Sequence, residues 1–338
     1  MFLTYLTRRL GLAIVALFGV VVVAFLVAHM VPADPLAVVL SDQATKDPAV
    51  REAYMKRWGL DRPVPEQFVR YLANVLRGDL GESFTTRRPV VQDLRQFLPG
   101  TVELGLAALA VSLVFGVPLG IWAALRHNCW VDHVARAVSL VGAAAPIFWT
   151  GLIALHVFYY RLEWAPGPGR LDTHLQVPPA VTGFVLVDSL LAHDGERFAS
   201  ALRHTVLPAL VLGWFIMGIV SRTTRAALLE VLSADYVRTA RAKGLGETVV
   251  VGAHALRNAL IPVVTVTGLN FASLLSGAVL TETVFAWPGI GRYAVTAAVR
   301  LDYPAILGVT MLTGVVYLAV NFAVDILYGL LDPRIRVG

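Results

Sequence analysis

The chain has 338 residues, of which 57% are hydrophobic and 15% are charged, and its mean hydropathy is +0.68. Soluble globular proteins are about half apolar and a quarter charged, so this composition excludes that class and predicts an integral membrane protein. The net charge of +5 does not indicate nucleic-acid binding, because the cations are dispersed or stand beside apolar runs. The single cysteine, Cys129, excludes an intramolecular disulfide and a cysteine-based metal site.

The first apolar run predicts a membrane span. Arg8 and Arg9 precede residues 10–31, which are long enough to cross the bilayer core as a helix. The alternative is a cleaved signal peptide, but its apolar core is normally only about 7 to 15 residues long, and no Ala-x-Ala site follows here. We therefore expect an uncleaved anchor with a cytoplasmic N-terminus, which the paired arginines favour.

Residues 32–100 are polar and predict short amphipathic helices instead of spans. Pro48, Pro65 and Pro89 each stand where a helix can begin, and apolar residues follow at helical spacing. The helix at Pro65 has a predicted apolar face made of Phe68, Leu72, Val75 and Leu76. Such narrow faces suit helices that lie on the membrane or on the protein's own surface, and a soluble partner is the alternative contact.

Five further apolar runs predict membrane spans. The second span contains Gly105, Gly116 and Gly120, which let helices approach closely in lipid. The third contains Pro146, which predicts a kink near its middle. A long, proline- and glycine-containing segment, 161–204, predicts an external loop before the fourth span. The five runs are residues 102–124, 134–160, 207–220, 259–280 and 306–331, and the fourth helix is expected to continue to Glu230.

Six spans that start inside place both termini and residues 221–258 in the cytoplasm. The charge distribution agrees independently, because this segment carries the richest cation cluster of any short loop: Arg222, Arg225, Arg238, Arg241, Lys243 and Arg257. Between the last two spans, Trp287 and Tyr303 are expected at the membrane–water interface. The predicted fold class is therefore an all-α membrane protein.

The polar stretch 233–262 contains a predicted short helix over 235–243. Asp235 can accept hydrogen bonds from the free N–H groups of the first turn, and Gly244 suits the left-handed residue that ends a helix. On a helical net, one side carries Tyr236, Thr239, Ala240 and Lys243. Small alanine and threonine side chains would let another surface approach closely, although an ordinary solvated loop is the alternative.

Motifs for catalysis are absent from the sequence. No Gly-Lys pair occurs, so the chain lacks a phosphate-cradling loop and cannot hydrolyse ATP itself. The motifs H-E-x-x-H, Cys-x-x-Cys and G-x-S-x-G are also missing, which removes the zinc protease, redox and serine hydrolase classes. We therefore expect no enzymatic activity, no metal site and no cofactor on this chain.

Polar groups within or near the spans are few. An ion-coupled secondary transporter or channel would need them at mid-membrane, and the candidates for a substrate pathway are Glu103, Glu282, Asn321 and Asp325. Pairing or capping at helix ends explains these side chains at least as well. These exclusions favour a pore-forming subunit whose energy comes from a separate protein. A secondary transporter, a channel and a structural anchor are the alternatives.

Two segments carry a family resemblance. Residues 236–244, Tyr-Val-Arg-Thr-Ala-Arg-Ala-Lys-Gly, and residues 254–262, His-Ala-Leu-Arg-Asn-Ala-Leu-Ile-Pro, resemble the coupling motif of bacterial ABC-importer permeases of the peptide/nickel type. The general motif begins Glu-Ala-Ala, where this chain has Arg238, Thr239 and Ala240, and Gly244 matches. The likeness covers nearly the whole chain, including residues 59–63, 78–81, 280–289, 302–304 and 331–336, and the loop before the fourth span resembles the first subunit of dipeptide permeases.

The resemblance implies a type I ABC importer permease in the bacterial inner membrane. It implies an anchor and extracytoplasmic segment over 1–95 and a permease domain over 96–331, with a cytoplasmic coupling loop at 221–258. Expected partners are a second homologous permease, two ATPases that bind ATP and magnesium, and an extracytoplasmic peptide-binding protein. Dipeptides or short peptides are the expected substrate, with glutathione, nickel and longer oligopeptides as alternatives. The residues implied in coupling are Asp235, Tyr236, Arg238, Thr239, Ala240, Arg241, Ala242, Lys243, Gly244, Ala259, Ile261 and Pro262.

Overall fold

A computed structural model describes residues 2–30, 48–49, 52, 55–56 and 61–331. Every named secondary-structure element in this part of the chain is helical, in agreement with the predicted all-α class. Short π-helical turns, Leu155–Arg161 and Val250–Ala255, interrupt the α-helices at two places. The α-helices named below are α1 (Phe2–Met30), α2 (Val64–Leu76), α3 (Val90–Leu125), α4 (Trp130–Ala144), α5 (Ile147–Ala154), α6 (Val185–Leu191), α7 (Gly195–Leu232), α8 (Asp235–Ala242), α9 (Glu247–Val249), α10 (Leu256–Gly277), α11 (Val279–Val284), α12 (Ile290–Val299) and α13 (Tyr303–Leu331).

Helix α7 lies at the centre of the bundle and packs against α3, α4 and α10. Its side chains Leu212, Ile216 and Val220 are almost fully buried, in one apolar cluster with Leu104 of α3 and Val263 of α10. In lipid, such contacts stabilise helix association through close packing, because the lipid tails are as apolar as the side chains. This cluster fixes the position of α7 relative to α3 and α10.

Helix α3 runs without a break where the sequence predicts two elements. The amphipathic helix expected at Pro89 and the span expected at 102–124 are one helix, Val90–Leu125, and the predicted domain boundary at 95/96 falls within it. Leu94 packs on Ile290 and Tyr293 of α12, so this early face contacts the protein itself and not the membrane surface. The prediction of a separate helix at Pro89 is wrong, because this helix continues to Leu125. Its first turns are held inside the protein, where α12 covers their apolar face.

The seam between α3 and α7 depends on a small residue. A Cβ atom added at Gly120 would lie 2.5 Å from the carbonyl oxygen of Ser221 and 2.7 Å from Cβ of Thr224. Real Cβ atoms do not approach so closely, so only glycine allows the two backbones to pack at this distance. The predicted role of the small residues in this span is confirmed here.

The predicted kink at Pro146 is a sharp break. Helix α4 ends at Ala144, and α5 begins after Pro146. The ψ angle of Pro146 is 126°, which lies outside the helical region. The two helical segments are bent by 102° relative to each other. Because proline disfavours the α conformation in the residue before it, Ala145 is also extended, with ψ of 131°. The kink predicted within residues 134–160 is therefore a break between two helices.

Four described helices are long and apolar enough to cross a membrane, and the bent pair makes a fifth if it counts as one span. The four are Val90–Leu125, Gly195–Leu232, Glu247–Leu275 and Tyr303–Val324. Helix α1 contributes a shorter apolar segment, Gly11–Leu26. The chain is thus a multi-pass membrane protein, and the predicted number of six spans stays a prediction.

Helix α2 confirms the amphipathic helix expected at Pro65, and it packs on α1. The ring of Phe25 contacts the rings of Phe68 and Tyr71 at centroid distances of 5.1 and 5.8 Å. Leu76, expected on the same face, is 80% exposed. The helix expected at Pro48 falls mostly outside the described residues, and the tail after Leu331 falls wholly outside them.

Candidate coupling site

The short helix predicted in the polar stretch is present as α8, but it begins differently from the prediction. Its N-cap residue is Ala234, which has extended dihedral angles and offers no side-chain oxygen. The side chain of Asp235 is 94% exposed and lies 3.4 Å from Arg238. Asp235 is therefore the first helical residue and does not cap, although a carboxylate in the first turn still interacts favourably with the helix dipole.

The end of α8 follows the prediction. Gly244 has a φ of +79°, which is the left-handed conformation that glycine adopts without strain. Its N–H donates to the carbonyl of Arg241 at 2.9 Å, and the N–H of Leu245 donates to the carbonyl of Ala240 at 3.4 Å. This pair of bonds closes the last turn and directs the chain toward α9.

One face of α8 is buried against the rest of the chain. Val237 is fully buried and Ala240 is 6% exposed, and both belong to an apolar cluster with Leu228 of α7 and Ala259 of α10. The prediction that Ala240 faces a partner is therefore wrong, because its methyl group fills this intramolecular contact. The exposed residues of α8 and its C-terminal turn are Asp235, Tyr236, Arg238, Thr239, Arg241, Ala242, Lys243 and Gly244.

Arg241 connects α8 to the elements on both sides. Its guanidinium donates two hydrogen bonds to the carboxylate of Glu247, at 2.6 and 3.1 Å. A third contact reaches the carbonyl of Leu232 at 3.5 Å, at the end of α7. The hydrogen bond to Glu247 raises the pKa of Arg241 further above its ordinary value, so the guanidinium stays charged. The planar fork of arginine suits this two-point contact better than lysine would.

A second contact joins α8 to α10. The side-chain amide of Asn258 donates a hydrogen bond of 2.8 Å to the hydroxyl of Tyr236. Together with the apolar cluster, this bond attaches α8 to the start of the long helix that follows it. The contacts of Asn258 and Glu247 could not be predicted from the sequence, because their partners are not at helical spacing.

A buried ion pair lies near α8, between α4 and α7. The guanidinium of Arg225 donates two bonds of 2.7 Å to Asp132, whose side chain is fully buried. The backbone N–H of Asn128 adds a third bond to this carboxylate. Breaking a buried pair leaves an uncompensated charge, which costs about 3–5 kcal/mol. We name the region that contains α8, this ion pair and the end of α3 the coupling end.

The remaining residues implied in coupling do not all gather at α8. Ala259 is buried beneath it, whereas Ile261 is half-buried and Pro262 is exposed farther along α10. The chain between α9 and α10 forms the π-helical turn Val250–Ala255, which the sequence does not signal. Such turns are frequent at functional sites in other proteins.

Two of the candidate pathway residues lie at the opposite end of the bundle, in buried polar contacts. Glu103 forms an ion pair with Arg170 and accepts a hydrogen bond of 2.8 Å from the N–H of Leu186. Glu282 is fully buried and accepts bonds from the hydroxyl of Thr101 at 2.6 Å and the N–H of Arg292 at 2.9 Å. These contacts are of the kind considered above as the alternative to a pathway role, namely pairing or capping at helix ends.

Trp287 belongs to the same buried region. It is 1% exposed, and its indole N–H donates a bond of 2.8 Å to the carbonyl of Gly100. The guanidinium of Arg170 lies over its ring, 5.3 Å from the centroid. The expected interfacial position of Trp287 is therefore wrong, since the ring packs inside the protein. Arg170, Thr101 and Trp287 are structural residues that sequence reasoning did not place together.

The other two pathway candidates lie on α13. Asn321 is half-buried, and its buried Oδ1 atom has no hydrogen-bond donor among the described residues. Asp325 is four residues farther along the helix, and its side chain lies outside the part that the structure describes. No three metal-ligating side chains lie together in the described ranges, so the geometry there offers no metal site.

Comparison with known proteins agrees with this architecture. Residues 116–337 match the family described as binding-protein-dependent transport system inner membrane component, and residues 2–105 match its N-terminal family. A probable D,D-dipeptide transport system permease protein of Escherichia coli (strain K12) is 46% identical, covering 100% of this chain and 98% of its own length. A di/tripeptide transport system permease protein of Pseudomonas aeruginosa (strain UCBPP-PA14) is 47% identical, covering 99% of each chain.

A solved structure supports the fold independently of these sequences. A chain of a methionine ABC transporter in an inward-facing conformation superposes with a TM-score of 0.51 and 14% identity, covering 71% of this chain and 96% of its own. At this identity the likeness concerns the fold alone. The family matches and full-length relatives lead to one conclusion: the chain belongs to the family of binding-protein-dependent transport system inner membrane components, among the ABC-importer permeases of the peptide/nickel group.

Proposed function

We propose that this chain is the pore-forming permease subunit of an ATP-driven importer that carries dipeptides or short peptides across the bacterial inner membrane. The two relatives described above are named as permeases for D,D-dipeptides and for di- and tripeptides. A further relative from Escherichia coli (strain K12), 39% identical, is named as a dipeptide permease, and these names support this substrate class. Glutathione is the substrate named for another relative, which is 38% identical to this chain. Glutathione, nickel complexes and longer oligopeptides are therefore the alternative substrates.

The observation that carries the proposal is the attachment of α8 to two long helices. Arg241 joins α8 to the end of α7 and to α9, and Asn258 of α10 bonds to Tyr236. A force applied to the exposed face of α8 is therefore transmitted to both helices, instead of being absorbed by a flexible loop. A short helix in a groove of a soluble partner fixes position and angle, which suits this transmission.

The proposed assembly has the partners expected of this family. A second homologous permease completes the pathway, two cytoplasmic ATPases bind ATP and magnesium and contact α8, and an extracytoplasmic binding protein delivers the peptide. This chain holds no cofactor of its own. The chain crosses the membrane six times with both termini in the cytoplasm, and residues 32–99 and 161–204 face the binding protein. The pathway candidates are Glu103, Glu282, Asn321 and Asp325. Asn321 supports this choice, because its buried Oδ1 atom has no donor among the described residues.

The first experiment tests contact between α8 and the ATPases. Ala242→Trp adds a large ring to an exposed residue of α8, and we expect it to abolish ATP-driven peptide uptake and to weaken ATPase binding to the membrane complex. Ala226→Trp is the matched control, since Ala226 is also exposed but lies on α7. Normal uptake and ATPase binding by the Ala242 variant would contradict the proposed contact.

A second experiment separates substrates and mechanisms. The chain, its partner permease, the ATPases and the binding protein are reconstituted in liposomes, and uptake of labelled dipeptide, tripeptide, glutathione and nickel is compared with and without ATP. We expect ATP-dependent uptake of dipeptide to be fastest. Uptake by this chain alone, driven by an ion gradient, would contradict the proposed importer and would identify a secondary transporter or channel.

A further inference from the structure

A basic pocket opens between α4 and α7 near the coupling end. It has a volume of about 570 Å³ and is lined by His133, Arg136, Ala137, Leu140, Arg222 and Arg225. The lining therefore contains three arginines, one histidine and two apolar residues. None of the roles assigned above uses this pocket, apart from the ion pair made by Arg225.

The lining residues of α4 form a single stripe that changes character along the helix. His133, Arg136, Ala137 and Leu140 have the spacing i, i+3, i+4 and i+7, so they lie on one face. The polar residues come first, at the coupling end, and Leu140 follows toward the middle of the predicted span. Leu140 is 60% exposed and the neighbouring Val141 is 53% exposed, as expected of side chains that contact lipid.

The charges in the pocket are not balanced by the part of the chain that the structure describes. Arg225 is bonded to Asp132, and Arg136 lies 3.5 Å from the same carboxylate. Arg136 also donates a bond of 2.7 Å to Nδ1 of His133. Arg222 is exposed, and its Nε donates to the carbonyl of Gly218 in its own helix. Among the described residues, Arg225 and Arg136 share the carboxylate of Asp132, and Arg222 has no carboxylate partner. This arrangement leaves two positive charges for an anion.

We propose that this pocket binds the phosphate group of an anionic phospholipid, with one acyl chain lying along Leu140 and the exposed apolar side of α4. Basic pockets between transmembrane helices on the cytoplasmic side recognise anionic headgroups in this way. Arginine is suited to the task, because its planar fork binds two phosphate oxygens at once. A free phosphate shares the headgroup chemistry but gains nothing from the apolar part of the stripe.

Lipid binding to the purified membrane complex tests this site. The complex is equilibrated with equal amounts of phosphatidylglycerol and phosphatidylcholine, and the bound lipids are counted by native mass spectrometry. The double variant Arg136→Gln/Arg222→Gln removes two cations and keeps the Arg225–Asp132 pair. Since each surface cation changes binding of anionic lipid by about fivefold, we expect affinity for phosphatidylglycerol at this site to fall by about 25-fold.

The matched control is Arg257→Gln, which removes an exposed cation of α10 that does not line the pocket. We expect it to retain phosphatidylglycerol binding. Thermal unfolding of each variant checks that the fold is intact. Unchanged preference for phosphatidylglycerol in the double variant overturns the proposal. Equal displacement by inorganic phosphate at the concentration of the lipid also overturns it, because that result would assign the pocket to a soluble anion.

Discussion

The two ends of the helix bundle hold their polar groups in different ways. At the opposite end, the carboxylates of Glu103 and Glu282 are buried, and backbone N–H groups, a hydroxyl and Arg170 surround them. At the coupling end, the contacts that attach α8 are partly exposed: the side chains of Arg241 and Glu247 are 40% and 59% accessible. Of the contacts made by α8 itself, the apolar face of Val237 and Ala240 is buried. The buried Arg225–Asp132 pair of this end joins α4 to α7 instead.

In the proposed mechanism, this difference separates a rigid end of the bundle from the end that transmits force from a partner. A buried carboxylate that loses a donor costs free energy, so the opposite end resists rearrangement. Exposed ion pairs contribute little to stability and can re-form as helices shift. The coupling end can therefore keep α8 attached while its outer face stays available to a partner, and the predictions below test this division.

The largest effect is expected at the opposite end. Glu282→Ala removes the acceptor for the hydroxyl of Thr101 and the N–H of Arg292, and it leaves a cavity in a fully buried region. We expect a loss of about 3 kcal/mol in the free energy of unfolding. Glu196→Ala, at an exposed carboxylate, is the control and should change stability little. Equal melting temperatures for the two variants in detergent would show that the buried carboxylate of Glu282 does not stabilise the opposite end.

The next effect concerns the buried face of α8. Ala240→Trp forces a large ring into the cluster with Leu228 and Ala259, so we expect it to displace α8 and to cost about 2 kcal/mol. Ala242→Trp should leave unfolding unchanged while blocking uptake. Hydrogen exchange of α8 measures the displacement directly. The same exchange rate in both variants would show that the two faces of α8 are not different.

A smaller effect is expected from one hydrogen bond. Tyr236→Phe removes only the hydroxyl that accepts from Asn258, with under about 1 kcal/mol lost in stability because the site is exposed. If this bond helps to transmit force to α10, the number of peptides transported per ATP falls although ATP hydrolysis continues. Tyr317→Phe is the control, on an exposed tyrosine of α13. An unchanged transport ratio would assign transmission to Arg241 and the apolar cluster alone.

The smallest effect depends on pH. Asp188 lies in α6, outside the candidate spans, where burial raises its pKa but hydrogen bonds from Thr182 and Gly183 lower it more, so the pKa lies below its ordinary value. A carboxylate with a lowered folded-state pKa stabilises the protein above its unfolded-state pKa, and this contribution is lost as pH falls through the folded-state value. We expect Asp188→Asn to flatten the acid side of the stability profile, measured by melting temperature against pH. An unchanged slope would show that Asp188 does not contribute.

The class of the protein and the position of α8 could be predicted from the linear sequence. Apolar runs of membrane length depend on composition alone, so helices α3, α7, α10 and α13 could be predicted from hydropathy. The end of α8 was also predictable, because glycine is the residue that best tolerates the left-handed conformation found at Gly244. The family resemblance rests on linear motifs and needed no coordinates.

Which helix faces are covered depends on packing between distant parts of the chain. Ala240 was expected to face a partner, Asp235 to cap and Trp287 to reach the interface, and each was wrong because the outcome depends on a neighbour distant in sequence or on one backbone angle. The pairs Arg225–Asp132 and Tyr236–Asn258 join different helices, so no spacing rule reveals them. Helical periodicity shows which residues share a face, whereas packing determines what that face contacts.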